Sequence, residues 1–147
     1  THVDPKILWH LLEKDFLPII CPIGLDEDFQ TYNINADDAA CAVAESMNAE
    51  KLAFLTDIEG VLRDPKDPDS LISELKVDEA DALISDGFVG GGMIPKLRNC
   101  IEAIENGVNR VHILDGRIPH SLLLEIFTNK GVGTAILRED GEKYYHE

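Results

Sequence analysis

The stretch GFVGGGMIPKLRNCIEAIENGVNRVHIL, residues 87–114, decides the fold of this chain. It runs from a glycine-rich loop at 87–92, through a helical segment at 93–106, to a short apolar strand at 111–114. Gly107 suits the position just after a helix, because glycine adopts a left-handed backbone without strain. A loop, a helix and a strand in this order predict one repeat of an α/β fold.

Short β-type runs and helical stretches also alternate along the rest of the chain. Such alternation is typical of crossover connections between parallel strands. We therefore predict an α/β fold, a three-layer αβα sandwich in which helices cover both faces of a mainly parallel sheet. The remaining predicted helices span residues 7–16, 36–47, 77–85 and 120–128, and the remaining strands span 17–23, 31–34, 51–56, 72–75 and 133–137. The strand at 51–56, KLAFLT, is expected to be buried.

Ligands bind beyond the carboxyl ends of the strands in folds of this kind. The candidate positions are the residues that follow each predicted strand. They are Gly24, Thr56 and Asp57, and Asp115 and Gly116.

Composition and charge narrow the classes of function. The 147 residues suffice for one domain, and 13 Lys and Arg against 28 Asp and Glu give a formal net charge of −15. Phosphate backbones and anionic membrane surfaces repel so acidic a chain, so we expect neither nucleic acid nor a membrane as a partner. No apolar run approaches the ~20 residues of a membrane helix, and no secretory signal opens the chain, so we expect a cytoplasmic protein.

The cysteines and histidines do not form a metal-binding pattern. Cys21, Cys41 and Cys100 are odd in number and far apart, without the pairing typical of zinc sites. We expect three small buried side chains in a reducing cytosol. His112 and His120 are isolated, and no carboxylate cluster has calcium-loop spacing. The spacing therefore indicates neither a zinc site nor a calcium loop.

The glycine-rich loop is the most informative feature for chemistry. Gly90, Gly91 and Gly92 precede a helix, so successive backbone N–H groups can point at an anion beside the positive end of the helix dipole. Pro95 suits the first helical turn, and Lys96 in that turn would reach a phosphate held by the loop. The loop is neither a P-loop, which needs Gly-Lys-Ser/Thr, nor a dinucleotide fingerprint, which needs a strand leading into it. A flexible linker ahead of a helix is the alternative.

Two further segments place polar groups beside predicted strands. Asn33 would orient a polar substrate, and Asp37 would hold a lysine by charge-assisted hydrogen bonds. Helix capping by Asn35 is the better interpretation of this pattern alone, with the negative aspartates interacting favourably with the helix dipole. Asp57 follows a strand and would reach a ribose hydroxyl or a neighbouring N–H, with a simple turn as the alternative.

Four motifs in order resemble those of a known family: YNINADDAA, KLAFLTDIEGVL, GGGMIPKL, and HILDGRIPHSLLLEIF followed by GVGT. Together they resemble the C-terminal half of the N-acetylglutamate kinases, within the amino acid kinase superfamily, over residues 7–137. The resemblance implies transfer of the γ-phosphoryl group of ATP to the γ-carboxylate of N-acetyl-L-glutamate, giving an acylphosphate in arginine biosynthesis. Positioning and charge neutralisation would account for this catalysis. The resemblance also implies that Mg is held mainly by the nucleotide phosphates, so we expect no metal ligand from the protein.

The family's roles would fall on matching residues of this chain. Asn33 would bind acetylglutamate, Asp37 would orient the catalytic lysines, and Lys96 would stabilise charge on the transferring phosphoryl group. The closing motifs resemble the arginine-inhibited branch, which implies a homo-oligomer, typically a hexamer, with feedback arginine at His112, Glu125 and Gly131. The ATP-binding positions would be Thr56, Asp57, Ile58, Glu59, Gly60, Val61, Leu62, Phe88, Val89 and Gly90.

The last expectations concern the domain that this chain forms and the alternative functions that its sequence leaves open. We expect residues 1–147 to form the nucleotide-binding domain, without the family's N-terminal half, and to show little or no turnover alone. The proline-containing loop at 64–70 is expected to be a mobile flap near the nucleotide. The alternatives are a non-catalytic domain that senses arginine or a nucleotide, and another amino acid kinase that acts on carbamate, glutamate, aspartate or uridylate.

Overall fold

The structure, a computed structural model, describes residues 3–64, 66–128 and 131–138. The helices of this described part are α1 (Lys6–Leu12), α2 (Ala36–Ser46), α3 (Val77–Ser85), α4 (Met93–Glu105) and α5 (Ser121–Phe127). Its strands are β1 (Ile23–Leu25), β2 (Thr31–Asn33), β3 (Lys51–Thr56), β4 (Glu74–Lys76), β5 (Arg110–Asp115) and β6 (Thr134–Leu137).

A four-stranded sheet forms the centre of the molecule, in the order β3-β5-β6-β4. β3 runs parallel to β5 and β4 runs parallel to β6, whereas β5 and β6 are antiparallel. Two of the three strand pairs are therefore parallel. A separate antiparallel ribbon, made of β1 and β2, precedes this sheet in the chain.

Helices cover both faces of the sheet. α2, α3 and α4 pack together on one face, where Val111 and Ile113 of β5 join their hydrophobic core. Side chains alternate along a strand, so His112 and Leu114 point to the other face. There His112 bonds Glu125 of α5. The predicted α/β fold, a three-layer sandwich with a mainly parallel sheet, is confirmed.

Helix α4 supplies the middle of the core. Leu97, Cys100 and Ile104 recur at i, i+3 and i+7, the spacing of one helix face, and are at most 1% exposed. Burial of a Leu or Ile side chain contributes about 1.5–3 kcal/mol relative to leaving it in water. This buried face fixes how α4 sits on the sheet, and Lys96, next to Leu97 in the sequence, is therefore carried on a firmly docked helix.

The predicted strand over residues 17–23 is wrong. The structure begins a strand only at Ile23, and Leu17 is 84% exposed. Pro18 and Pro22 lack the backbone N–H that a strand ladder requires, so this apolar run cannot pair along its length.

Two expectations about burial also need correction. The strand at 51–56 has the predicted bounds, but it is an edge strand rather than a buried one, and Leu55 is 58% exposed. Cys21 is exposed, whereas Cys41 and Cys100 are buried as expected. Burial raises the pKa of the Cys41 thiol to about 12 and raises that of Cys100 as well, so both thiols stay protonated.

Candidate active site

Two helix N-termini and two strand ends meet at one edge of the sheet. α2 leads into β3 and α4 leads into β5, so each helix begins at the edge where these parallel strands end. This edge therefore carries Asp37 on α2 and Lys96 on α4, beside the strand ends Thr56 and Asp115, which are paired in register. Ligand sites of α/β folds lie at such an edge.

Asn35 caps helix α2 at this edge. Its side-chain oxygen accepts hydrogen bonds from the backbone N–H groups of Asp37, at 2.9 Å, and Asp38, at 3.3 Å. The capping interpretation of Asn35 is confirmed. Both aspartates lie in the first turn, where the helix dipole favours negative charge. The cap fixes the turn from which their carboxylates reach α4.

Lys96 meets Asp37 where α2 and α4 pack together. The Lys96 Nζ lies 2.5 Å from Asp37 Oδ2, and the two side chains are 14% and 34% exposed. The same Nζ lies 4.9 Å from the centroid of the Phe54 ring. The structure thus brings together the two residues expected to be catalytic, and a partly desolvated ammonium is well suited to stabilise developing negative charge.

A second contact joins the same two helices, and sequence reasoning missed it. Asn99 Nδ2 donates to Asp38 Oδ1 at 2.7 Å. Asn99 stands three residues after Lys96, on the same side of α4, and Asp38 adjoins Asp37. That repeated spacing was the available signal, because i and i+3 positions of a helix face one neighbour.

The glycine-rich loop has two parts, and glycine has a different structural role in each. Gly87 ends α3 with a φ of +74°, and the N–H groups of Gly87 and Phe88 donate to the carbonyls of Ile84 and Leu83, which is a Schellman cap. Phe88 is 55% exposed, whereas Val89 is buried in the core. Val89 therefore anchors the loop by its side chain.

Gly90, Gly91 and Gly92 form the open part of that loop. A Cβ atom built on any of them would have no neighbour within 4 Å. Their N–H groups donate to no acceptor among the described residues, and α4 begins directly after them. Free N–H groups at a helix N-terminus can bind an anion, and here they lie one turn from Lys96.

The segment after β3 divides into exposed acids and buried apolar positions. Asp57 and Glu59 are exposed, and the Thr56 hydroxyl donates to Asp57 Oδ1 at 3.3 Å. Ile58 packs against the core, and Leu62 pairs with Leu71 across the loop. The exposed carboxylates are the side chains that this segment offers to a ligand.

Gly60 and Val61 instead fasten this segment to β6. Gly60 has a φ of +146°, and a Cβ there would lie 2.6 Å from Thr134 Oγ1. Val61 is fully buried, and its N–H donates to Thr134 Oγ1 at 2.8 Å. The Thr134 hydroxyl in turn donates to the Ile72 carbonyl at 2.7 Å. The side chain at 61 therefore belongs to the hydrophobic core. Pro65 of the expected flap lies outside the described residues.

Arg117 adds a cation at the same edge, and it was not among the predicted site residues. Its Nε and Nη2 donate to the two oxygens of Asp115, both at 2.9 Å, and this pairing lowers the pKa of that carboxyl. Asp115, together with the nearby carboxylates of Asp57 and Glu59, raises the pKa of the Arg117 guanidinium. The Gly116 N–H donates to the Thr56 carbonyl at 2.7 Å, which ties this turn to the end of β3.

The three residues matched to the arginine site come together on the α5 face of the sheet. His112 Nδ1 lies 2.9 Å from Glu125 Oε1, and the N–H groups of Val132 and Gly133 donate to Glu125 Oε2 at 2.7 and 3.2 Å. A Cβ on Gly131 would lie 2.8 Å from the same oxygen. Although burial opposes ionisation, the hydrogen bonds lower the pKa of Glu125 overall. An ionised Glu125 accepts only, so Nδ1 carries the proton and the buried His112 Nε2 has no described partner.

Asn33 is exposed at the end of β2, opposite Ile23. Its side chain makes no hydrogen bond to the residues that the structure describes. It precedes the α2 cap by two residues, so it lies at the same end of that helix as Asp37, where its amide is open to a ligand.

The described residues contain no group of three or more His, Cys, Asp or Glu side chains arranged to hold a metal ion. In the same part of the chain, no helix is long and apolar enough to cross a membrane.

Comparison with known proteins decides the family. A sequence profile described as the amino acid kinase family matches residues 1–115. The chain belongs to the amino acid kinase family. Acetylglutamate kinase of Campylobacter jejuni subsp. doylei is 61% identical over 134 residues, which is 91% of this chain and 47% of that protein. Acetylglutamate kinase of Heliobacterium modesticaldum is 52% identical over 92% of this chain and 46% of that protein. The chain thus spans about half the length of these curated relatives.

Solved structures share this amino acid kinase fold. N-acetylglutamate synthase from Neisseria gonorrhoeae, complexed with coenzyme A and N-acetyl-glutamate, is 34% identical, with a TM-score of 0.85 over 93% of this chain and 31% of that chain. Giardia carbamate kinase is 26% identical, with a TM-score of 0.69 over 91% of this chain and 47% of that chain. Both a synthase and a kinase therefore carry a domain of this shape.

Proposed function

We propose that this chain is the nucleotide-binding part of an enzyme that phosphorylates the side-chain carboxylate of N-acetyl-L-glutamate with ATP, in arginine biosynthesis. The Lys96–Asp37 pair beside the open glycine loop is the observation that carries this proposal. The relatives named acetylglutamate kinase, at 61% and 52% identity, support the choice of substrate over carbamate, glutamate, aspartate or uridylate.

In this reaction a carboxylate oxygen of acetylglutamate attacks the γ-phosphorus, and the bond from phosphorus to the bridging oxygen of ADP breaks. The products are an acylphosphate and ADP, with no covalent enzyme intermediate. Lys96 would balance negative charge on the transferring group, Asp37 would hold that lysine in place, and the N–H groups of residues 90–92 would bind phosphate oxygens. Mg would enter on the nucleotide phosphates, and its charge would add to that of Lys96.

The nucleoside end would lie beside the segment after β3. Asp57 is exposed directly after that strand and would accept hydrogen bonds from ribose hydroxyls. The ring of Phe88 is exposed in the glycine-rich loop and would stack on the base. Ile58, Glu59, Gly60, Val61, Leu62, Val89 and Gly90 would shape the same nucleotide site.

Calorimetric titration of Mg·ADP into the 147-residue chain tests this assignment. We expect saturable binding, weakened about tenfold in Asp57→Ala because two ribose hydrogen bonds are lost. Asp78→Ala is the matched control, since Asp78 is an exposed acid on α3 away from this edge. Failure of a folded wild-type chain to bind would contradict the proposal, as would equal affinity in both variants.

A panel of acceptors tests the substrate. With Mg and a non-hydrolysable ATP analogue bound, N-acetyl-L-glutamate should raise the melting temperature, whereas glutamate, aspartate, carbamate and uridine monophosphate should not. Asn33→Ala should abolish the acetylglutamate effect and leave nucleotide binding intact. Stabilisation by a different acceptor would assign the chain to another kinase of the family.

A second candidate function is a domain that binds arginine without transferring phosphate. N-acetylglutamate synthase from Neisseria gonorrhoeae, complexed with coenzyme A and L-arginine, is 34% identical with a TM-score of 0.83. His112, Glu125 and Gly131 also lie together here, which supports arginine as feedback inhibitor of the kinase or as sole ligand of a sensor. Thermal stabilisation by arginine with no effect of nucleotide would favour the sensor.

Assembly and location complete the proposal. We expect a homo-oligomer, a hexamer in the complete arginine-sensitive enzyme, and a cytosolic enzyme of biosynthesis. Large apolar side chains exposed on and after α1 support assembly, because such patches mark contact surfaces. They are Ile7 at 61%, Trp9 at 48%, Leu12 at 43% and Phe16 at 60%.

A further inference from the structure

We propose that Phe54 is a positioning residue for Lys96: its ring holds the ammonium group at the sheet edge and leaves N–H donors free for the terminal phosphate of a nucleoside triphosphate. This inference rests on the proposed function and deepens it. It starts from the face of the Phe54 ring, whose centroid lies 4.9 Å from Lys96 Nζ.

The ammonium group of Lys96 is largely shielded from water, yet the described residues give it few polar contacts. Its side chain is 14% exposed, and among the described residues Asp37 supplies the one carboxylate that it contacts. A lysine has three N–H donors, so one bond to Asp37 leaves two. An aromatic face attracts a cation through its quadrupole without being a hydrogen-bonding acid. The ring therefore stabilises the charge and does not compete for phosphate as a second carboxylate would.

Phe54 is itself held rigidly, as a positioning residue must be. It is 6% exposed and belongs to the central core cluster. Its strand, β3, pairs with β5 through all six of its residues, with Phe54 opposite Ile113. The ring is thus fixed by the sheet, whereas Lys96 is carried by α4, so the contact fixes the ammonium group relative to both elements.

The Lys96–Asp37 pair is not the sole polar contact between the two helices that carry it. Asn99 and Asp38 form a separate contact between α4 and α2 at 2.7 Å. A variant that loses the Lys96 side chain therefore keeps a polar contact between these helices. Asp37 and the ring of Phe54 together hold the ammonium group, and its remaining donors are left for a phosphate.

Nucleotide binding by the 147-residue chain tests the role of Phe54. The variants are Phe54→Leu, which keeps an apolar side chain, and Phe54→Tyr, which keeps the ring face. The ligands are Mg·AMP-PNP, which carries a third phosphate, and Mg·ADP, which does not. We expect Phe54→Leu to weaken Mg·AMP-PNP binding about three- to tenfold and Mg·ADP binding less than about twofold, with Phe54→Tyr close to wild type for both.

Two comparisons separate positioning from packing. Leu52→Ala, two residues earlier on the same face of β3, loses core packing farther from the sheet edge that carries Lys96, and it should affect the two nucleotides alike. In a Lys96→Met background, Phe54→Leu should cause no additional loss for Mg·AMP-PNP. An equal loss for both nucleotides, or an undiminished loss in the Lys96→Met background, would overturn the proposal.

A readout without nucleotide keeps this inference separate from the proposed function. If the wild-type chain binds neither ligand, the proposed nucleotide site fails, but the Phe54–Lys96 contact can still be measured. Urea unfolding of the wild type, Phe54→Leu, Lys96→Met and the double variant gives their coupling. If the two residues did not interact, the effects of the single variants on the unfolding equilibrium constant would multiply in the double variant. We expect the measured constant of the double variant to differ from that product by a factor of about three or more. Multiplicative effects would refute the contact and with it the proposed role.

Discussion

Glu125 shows how one residue can combine burial with charge. Its side chain is 6% exposed, yet it receives hydrogen bonds from His112 and from two backbone N–H groups. Removal of water would normally favour the neutral acid, but these donors compensate, and the pKa of Glu125 lies below its ordinary value. The same carboxylate thereby links α5 to the chain that leads into β6.

We predict a pH-dependent loss of stability in Glu125→Gln. A pKa that is lower in the folded than in the unfolded chain stabilises the fold above the unfolded pKa of about 4.3, and this contribution is lost as the pH falls through the folded pKa. At neutral pH the variant should lose about 2–3 kcal/mol of unfolding free energy, because charged hydrogen bonds are replaced by poorer ones. Urea unfolding at a series of pH values measures the difference.

Glu105→Gln is the control for this prediction, because Glu105 is an exposed carboxylate at the end of α4. It should change stability by less than about 0.5 kcal/mol at any pH. The gap between wild type and Glu125→Gln should shrink below about pH 4. A gap that stays constant into acid would show that Glu125 contributes by packing and not by its charge.

At the scale of elements, the segment after β3 depends on a link to β6. Thr134 is fully buried and accepts from Val61 while donating to Ile72, so one hydroxyl fixes both sides of the loop. Gly60 passes so close to that hydroxyl that a side chain cannot fit. The loop carrying Asp57 is therefore positioned by a strand that is more than seventy residues away in sequence.

We predict that Gly60→Ala destabilises the chain by about 2–4 kcal/mol, because it combines an unfavourable positive φ with overlap at Thr134. Gly90→Ala is the matched comparison: its Cβ would meet nothing within 4 Å, so stability should change by less than about 0.5 kcal/mol. Thermal and urea unfolding measure both. Similar losses in the two variants would mean that the difference in their surroundings has no energetic effect.

At the scale of the whole molecule, charge opposes the proposed ligand. The chain carries a net −15, whereas the edge of the sheet carries the cations Lys96 and Arg117. Repulsion by distant acids acts over the Debye length, which shrinks from about 30 Å at 0.01 M to about 10 Å at 0.1 M salt. Contacts within the site are screened much less.

We therefore predict that salt accelerates nucleotide association. Raising NaCl from about 0.01 M to about 0.1 M at fixed free Mg should increase the association rate constant of a fluorescent ATP analogue about two- to threefold, and adenosine should be unaffected. Stopped-flow fluorescence measures the association rate constant of the ATP analogue. Competition of adenosine with that analogue measures whether salt affects adenosine. A rate that falls with salt would show that the local positive field of the site outweighs the net charge.

The elements that the sequence predicted best are those in which every local signal agrees. α3 spans the predicted residues 77–85, and α2 begins after the cap at Asn35. The first helix ends at Leu12 and not at 16, and the strand predicted at 17–23 is absent. Composition cannot show whether an apolar run finds a partner strand, so such runs are predicted poorly.

The sequence by itself determined the alternation of helices and strands, the glycine-rich loop and the cap of α2, because these depend on residues close together in the chain. The roles of Asn33, Asp37, Lys96 and the nucleotide-binding positions stay predictions until the binding experiments are done. The family resemblance already implied that Asp37 orients a catalytic lysine. Only the tertiary structure showed that Lys96 lies 2.5 Å from Asp37, that it meets Phe54, and that Thr134 holds the loop after β3. The physical reason is that each of these contacts joins residues far apart in sequence, which meet only after the sheet and its helices have packed.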